Sequence, residues 1–112
     1  MHEAYITLET RFETIKIPLG NIYYIEKIKS THKICVVHAG GIATITRDLR
    51  DVLNELSSGF IQCHKSFIAN TERITRIEIA KSRTYATIYF VAGISCPCSM
   101  KYRKEVMALW KS

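Results

Sequence analysis

The feature that most constrains this chain is an alternation of apolar and polar residues with a period of two, which runs through its first ninety residues. Such runs fold as half-buried β-strands, because successive side chains of a strand point to opposite faces. Gly, Pro and small polar residues interrupt the alternation every few residues, which is typical of turns. The sequence therefore predicts a mainly β domain, with strands at residues 5–8, 12–17, 22–28, 34–38, 42–46, 74–79, 85–91 and 94–98. Pro97 places the last of these at a sheet edge or end, because proline has no amide N–H to donate.

Two segments depart from this alternation and predict short helices. Leu49, Val52, Leu53 and Leu56 are spaced i, i+3, i+4, i+7, which indicates an amphipathic helix. Asp48 is expected to cap its N-terminus, and the run 57–59 (Ser-Ser-Gly) is expected to end it. A terminal helix is predicted to begin at Ser99 as N-cap, with one apolar face made of Tyr102, Val106, Leu109 and Trp110.

Length and charge restrict the classes of protein further. The 112 residues suffice for one domain, residues 1–112, with no room for a second, and 47% hydrophobic content excludes a disordered tail. No apolar run is long enough to span a membrane, no secretory signal is recognisable, and four cysteines then favour a reducing cytoplasm. The net charge is +6, and the whole excess lies in residues 61–112. That excess fits a polyanionic partner or an ordinary solvated surface, and charge alone leaves both open.

Signals of catalysis or of metal binding are weak. The glycines never adopt the spacing of a phosphate-binding loop. The two-residue spacing of structural zinc sites is absent from Cys63-His64 and from Cys96-Pro97-Cys98. A catalytic Cys63–His64 pair is also disfavoured, because adjacent residues of a strand point to opposite faces. The sequence therefore predicts no enzyme activity, no cofactor and no metal site.

One segment carries a specific motif. Residues 60–70 read FIQCHKSFIAN, follow a helix and precede spaced isoleucines. They resemble the signature of the LytTR family, the DNA-binding output domain of many bacterial response regulators. Segments 22–26, 49–56 and 93–101 resemble further family elements, so the resemblance extends from about Phe12 to Trp110.

The resemblance implies an elongated fold of about ten short strands in several small sheets, with two short helices. It implies sequence-specific binding of double-stranded promoter DNA for transcription regulation, with loops that enter successive major grooves at direct repeats, and a homodimer on DNA is compatible with it. The chain would be the output domain of a two-component response regulator or a stand-alone regulator. A cognate histidine kinase would act only through a receiver domain, which nothing in the sequence matches.

Carried over residue by residue, the resemblance assigns three contact regions. The first comprises Thr31, His32 and Lys33, the second Lys65, and the third Ser99, Lys101 and Arg103, beside which helical spacing adds Lys104. Many family members have arginine at position 101; lysine is a point charge that cannot pair bidentately with guanine, so a phosphate contact is expected there. A helix starting at Ser99 would also offer free N–H groups to a phosphate. Within the motif formed by Cys63, His64, Ser66, Phe67 and Asn70, the family gives Ser66 and Asn70 structural roles.

Cys63 and Cys96 each precede a predicted contact region by a few residues. If the fold brings them together, a disulfide would disable DNA binding under oxidation; packed, reduced thiols are the alternative. Two other functions remain open on sequence alone. They are a basic protein-interaction or membrane-surface module without DNA sequence preference and, with less support, a cysteine-based redox enzyme.

Overall fold

The computed structural model describes residues 4–56 and 58–112. Described in chain order, the elements are β1 (Tyr5–Glu9), β2 (Thr14–Pro18), β3 (Ile22–Lys27), β4 (Lys33–His38), β5 (Gly41–Thr46), α1 (Leu49–Glu55), β6 (Phe60–His64), β7 (Phe67–Asn70), β8 (Arg76–Ile79), β9 (Tyr85–Tyr89), β10 (Ser95–Ser99) and α2 (Met100–Lys111). Ten strands and two helices in the described ranges confirm the predicted mainly β class.

The strands form three antiparallel sheets. A central five-stranded sheet has the order β5-β4-β3-β7-β6, β1 pairs with β2, and the third sheet has the order β10-β9-β8. The domain measures 45 × 38 × 26 Å. β10 is an edge strand, as Pro97 predicts.

The central sheet buries side chains on both faces. Along β7, Ile68 packs into one hydrophobic cluster and the next residue, Ala69, into the other. The first cluster is covered by β1, β2 and α1, and the second by the three-stranded sheet and α2. This alternation follows from the two-residue period of a strand. The second cluster packs the three-stranded sheet against β6 and β7.

The two helices occupy the predicted segments. α1 begins after Asp48, whose carboxylate accepts a hydrogen bond from the Arg50 N–H (3.0 Å), so this cap is confirmed. It ends at Glu55; Ser57 in the predicted terminator lies outside the described residues. In α2, Val106 is fully buried, and the Trp110 Nε1–H donates to the Ile74 carbonyl oxygen (3.2 Å). In the described chain, neither helix has the length and apolarity to cross a membrane.

Two predictions of local structure are wrong in detail. Phe12 is not in a strand: it is 90% exposed at the tip of the β1–β2 hairpin. The Thr10 hydroxyl accepts hydrogen bonds from the N–H groups of Phe12 and Glu13, so a turn replaces the start of the predicted strand. Ser99 occupies the N-cap position of α2, but its side chain makes no capping hydrogen bond. At Ser99 the chain leaves an edge strand directly into the helix, with φ −73° and ψ 146°.

Candidate nucleic-acid interface

The first predicted contact region is the tight turn between β3 and β4. The Ile28 N–H donates to the Lys33 carbonyl oxygen (2.9 Å), and Ser30 adopts a left-handed conformation with φ 63°. The Thr31 hydroxyl donates to the Ile28 carbonyl oxygen (2.8 Å) and accepts from the Lys33 N–H (3.1 Å). Thr31 therefore stabilises the turn, while His32 and Lys33 present exposed side chains.

The second region is the two-residue turn between β6 and β7. Lys65 is exposed at its tip, and the Ser66 N–H donates to Nδ1 of His64 (3.1 Å). The His64 ring meets the Phe67 ring edge to face at 5.4 Å between centroids. His64 is thus packed and hydrogen-bonded within the turn, as predicted, and it helps to hold Lys65 outward.

The third region is the passage from β10 into α2. Ser99 and Lys101 border a cleft of about 480 Å³ together with His64 of the second region. Lys101 is exposed, and its Nζ lies 5.6 Å from the centroid of the Tyr102 ring. Arg103 is half-buried and Lys104 exposed in the same first two turns of the helix.

Strand pairing brings these regions to one end of the molecule. The Lys27 N–H donates to the Ser66 carbonyl oxygen (2.8 Å), which ties the end of β3 to the β6–β7 turn. Lys29 and Ser30 share a cleft of about 530 Å³ with Lys65 and His64. Because His64 borders both clefts, the β6–β7 turn adjoins Lys29 and Ser30 of the β3–β4 turn on one side and the start of α2 on the other, with Glu26 also lining the first cleft. The predicted contact residues Thr31, His32 and Lys33 line neither cleft, and Lys33 instead borders a cleft with Glu9 and Arg11.

Asn70 lies in the interior, at the end of β7 opposite the β6–β7 turn. Only 1% of its surface is exposed, and its Nδ2 donates to the carbonyl oxygens of Ile22 (2.9 Å) and Leu19 (3.4 Å). Its Oδ1 accepts from the Glu72 N–H (3.1 Å). One side chain therefore joins the chain before β3 to the end of β7, and its geometry agrees with the structural role that the resemblance implies.

Three thiols lie together behind the second and third regions. Sγ of Cys63 is 4.0 Å from Sγ of Cys96, and both residues are buried, as is Cys98. A hydrogen bond with Cys63, together with burial, holds the pKa of the Cys96 thiol well above its ordinary value. Burial raises the pKa of Cys98 to about 11, although the charge of Arg103 acts in the opposite direction. These two groups are therefore protonated at neutral pH.

Several basic residues on this end escaped the sequence reasoning. Lys27 and Lys29 border the cleft beside Lys65, and Lys81 and Arg83 border a cleft with Arg103. For Lys81 and Arg83 the available sequence signal was the surplus of basic residues in 61–112, which does not say which of them strand pairing brings together. Lys27 and Lys29 lie in the half of the chain without net charge and had no such signal. Within residues 4–56 and 58–112, no group of three or more His, Cys, Asp or Glu side chains is arranged to hold a metal ion.

Comparison with known proteins agrees with this geometry. The profile of the LytTr DNA-binding domain family matches residues 13–111. The solved LytTr DNA-binding domain of a putative methyl-accepting/DNA response regulator from Bacillus cereus superposes with a TM-score of 0.81 and 25% sequence identity, over 96% of this chain and 97% of that one. No curated protein matches this chain.

The chain therefore belongs to the LytTR family of DNA-binding domains, because the family profile covers almost its whole length. This is a family of DNA-binding domains in transcription regulation and not a catalytic one. The predicted family, fold class and general function are confirmed.

Proposed function

We propose that this domain binds double-stranded promoter DNA sequence-specifically, as the cytoplasmic output domain of a response regulator or as a stand-alone regulator. The observation that carries the proposal is a pair of adjoining clefts, both bordered by His64, at which Lys29 and Ser30 of the β3–β4 turn, Lys65 of the β6–β7 turn and Lys101 after the β10–α2 passage come together. These segments are turns rather than a recognition helix, so the chain would read DNA through loops inserted in successive major grooves.

The side chains of the three regions suit different groups of the DNA. His32 is exposed at the tip of a rigid turn, and its imidazole is suited to a base edge. Lys33, Lys65, Lys101 and Lys104 are exposed lysines suited to phosphates, because an ammonium group is a point charge. Ser99 and the first N–H groups of α2 can receive a further phosphate, next to Arg103.

Direct repeats and a homodimer on DNA belong to the same proposal. Selecting binders from a random duplex library should enrich one motif, present as two copies in the same orientation at a fixed spacing. Gel-shift titration of duplexes with one and two copies then tests pairing on DNA. A pool that enriches no motif contradicts the proposal and favours a basic interaction module without sequence preference.

We propose in addition that Cys63 and Cys96 form a redox pair that controls the surface. Their sulfur atoms are 4.0 Å apart, and the strands that carry them, β6 and β10, lead directly to Lys65 and Ser99. A disulfide bond, about 2 Å long, requires the two sulfur atoms to approach by about 2 Å. We expect this movement to shift the chain that leads into both predicted contact regions.

The oxidant in this proposal is a peroxide. One thiol loses its proton, its thiolate attacks an oxygen of hydrogen peroxide, and the O–O bond breaks to give a sulfenic acid and hydroxide, which takes up that proton and becomes water. The second thiol then attacks the sulfenic sulfur, the S–O bond breaks, and the disulfide and a second water result. Two thiols thus lose two electrons and two protons to one peroxide. The raised pKa of Cys96 and its burial predict slow oxidation.

Peroxide treatment should weaken DNA binding by the wild type at least tenfold, and a dithiol reductant should restore it. The variant Cys63→Ser should keep its affinity after the same treatment, whereas Cys35→Ser, which changes a half-buried cysteine outside the pair, should lose it as the wild type does. Fluorescence anisotropy with a promoter duplex measures these affinities. Equal loss in the wild type and in Cys63→Ser would refute the redox pair.

A further inference from the structure

The turn between β8 and β9 places two basic side chains at the end of the three-stranded sheet. The Ala80 N–H donates to the Tyr85 carbonyl oxygen (3.0 Å), and the Arg83 N–H donates to the Ala80 carbonyl oxygen (2.8 Å). Arg83 adopts a left-handed conformation with φ 60°, which is uncommon for a residue with a side chain. Lys81 and Arg83 are both exposed on this compact turn.

Strand register puts this turn beside the third contact region. Tyr85, the first residue of β9, pairs with Ser99, the last residue of β10. Since the sheet is antiparallel, the last residues of β8, the first residues of β9 and the last residues of β10 lie at the same end of the sheet. Thr84 and Tyr85 also border the cleft that contains Ser99 and Lys101.

The side chains there carry one sign of charge. Among the described residues, Lys81, Arg83 and Arg103 border a cleft of about 530 Å³ together with Ile79 and Ala80, and no carboxylate lines it. In the part of the chain that the structure describes, the ion pairs are Arg47–Glu55 and Arg76–Glu78, and neither involves these three cations. A concave surface with unneutralised cations raises the local concentration of anions.

We infer that the β8–β9 turn is a fourth DNA-contact segment, in which Lys81 and Arg83 bind the sugar-phosphate backbone next to the phosphates held by the start of α2. The inference rests on the proposed DNA-binding function and extends its footprint. The occupant is duplex DNA because the cleft continues the proposed surface through Arg103, Ser99 and Tyr85 and complements a polyanion. Phosphate is the ligand chemistry, so the turn positions the domain on DNA and adds little to base selection.

The test is a salt titration with the double variant Lys81→Gln/Arg83→Gln. Affinity is measured by anisotropy on a selected duplex and on a shuffled one at several salt concentrations. Loss of two phosphate contacts should reduce the slope of log K against log [salt] by about 2, and it should weaken binding roughly tenfold per contact at 0.1 M salt, equally on both duplexes. The single variant Lys81→Gln should show about half of the change in slope.

The control is Lys16→Gln/Lys111→Gln, which removes the same charge from exposed lysines on β2 and at the end of α2. Its slope should stay at the wild-type value. If the wild type prefers the selected duplex but the Lys81/Arg83 variant keeps the wild-type slope, or loses no more than the control, the fourth contact segment is refuted and the proposed function stands. If the wild type shows no preference between the duplexes, the proposed function itself fails.

Discussion

Replacing Lys101 by glutamate should weaken binding to promoter DNA by about a hundredfold at 0.1 M salt. Lys101 is exposed in the first turn of α2, beside the β6–β7 turn. Its substitution removes one phosphate contact, worth roughly tenfold at this salt concentration, and places a carboxylate where it would repel the backbone. Anisotropy titration with a selected duplex measures the loss.

Three further variants test whether that loss of affinity comes from a phosphate contact at residue 101. Lys101→Gln should reduce the salt slope by about 1, and Lys101→Arg should preserve it, because arginine keeps the charge. Lys111→Glu makes the same reversal in the last turn of the same helix and should change affinity little. Equal losses for Lys101→Glu and Lys111→Glu would mean that overall charge, and not contact at residue 101, governs binding.

Replacing Asn70 by alanine should reduce the free energy of unfolding by about 2–4 kcal/mol, because it leaves buried hydrogen-bonding groups without a partner. The change removes the Nδ2 donor from the Ile22 and Leu19 carbonyl oxygens and the Oδ1 acceptor from the Glu72 N–H. Urea denaturation followed by circular dichroism measures the difference.

Asn54→Ala is the matched control, because Asn54 is an exposed residue within α1 where alanine is the better helix former. It should leave stability unchanged or slightly raise it. At a temperature where Asn70→Ala remains folded, its salt slope on DNA should equal that of the wild type, since Asn70 is buried and contacts no phosphate. A loss of stability no greater than that of Asn54→Ala would remove the scaffold role assigned to Asn70.

Local patterns predicted both helices and eight of the ten strands, but they assigned no strand to residues 60–70, where β6 and β7 lie. The spacing of Leu49, Val52, Leu53 and Leu56 identified α1, and Asp48 identified its start, because both signals depend on neighbouring residues alone. The prediction failed at Phe12, where alternation continued into a turn that the Thr10 hydroxyl closes. Alternation indicates which side chains would share a face if the segment were a strand. It does not indicate whether the backbone of that segment forms hydrogen bonds with a neighbouring strand.

The arrangement of the site depended on pairings that the sequence does not display. The motif around Cys63 led, through a family resemblance, to the predicted contact turns. That resemblance could not show that β6 and β10 bring Cys63 within 4.0 Å of Cys96. Nor did it indicate the β8–β9 turn, whose basic residues lie beside the start of α2 because Tyr85 pairs with Ser99. Long-range register of this kind arises from packing of both sheet faces.

The measurement that tests the central claim most directly is competition between two duplexes for the wild-type domain at one fixed salt concentration. One duplex carries the motif enriched by selection, and the other has the same bases in shuffled order. The proposed loop readout predicts that the selected duplex competes at least ~10³-fold better. Equal competition by both duplexes would contradict sequence-specific recognition by this surface.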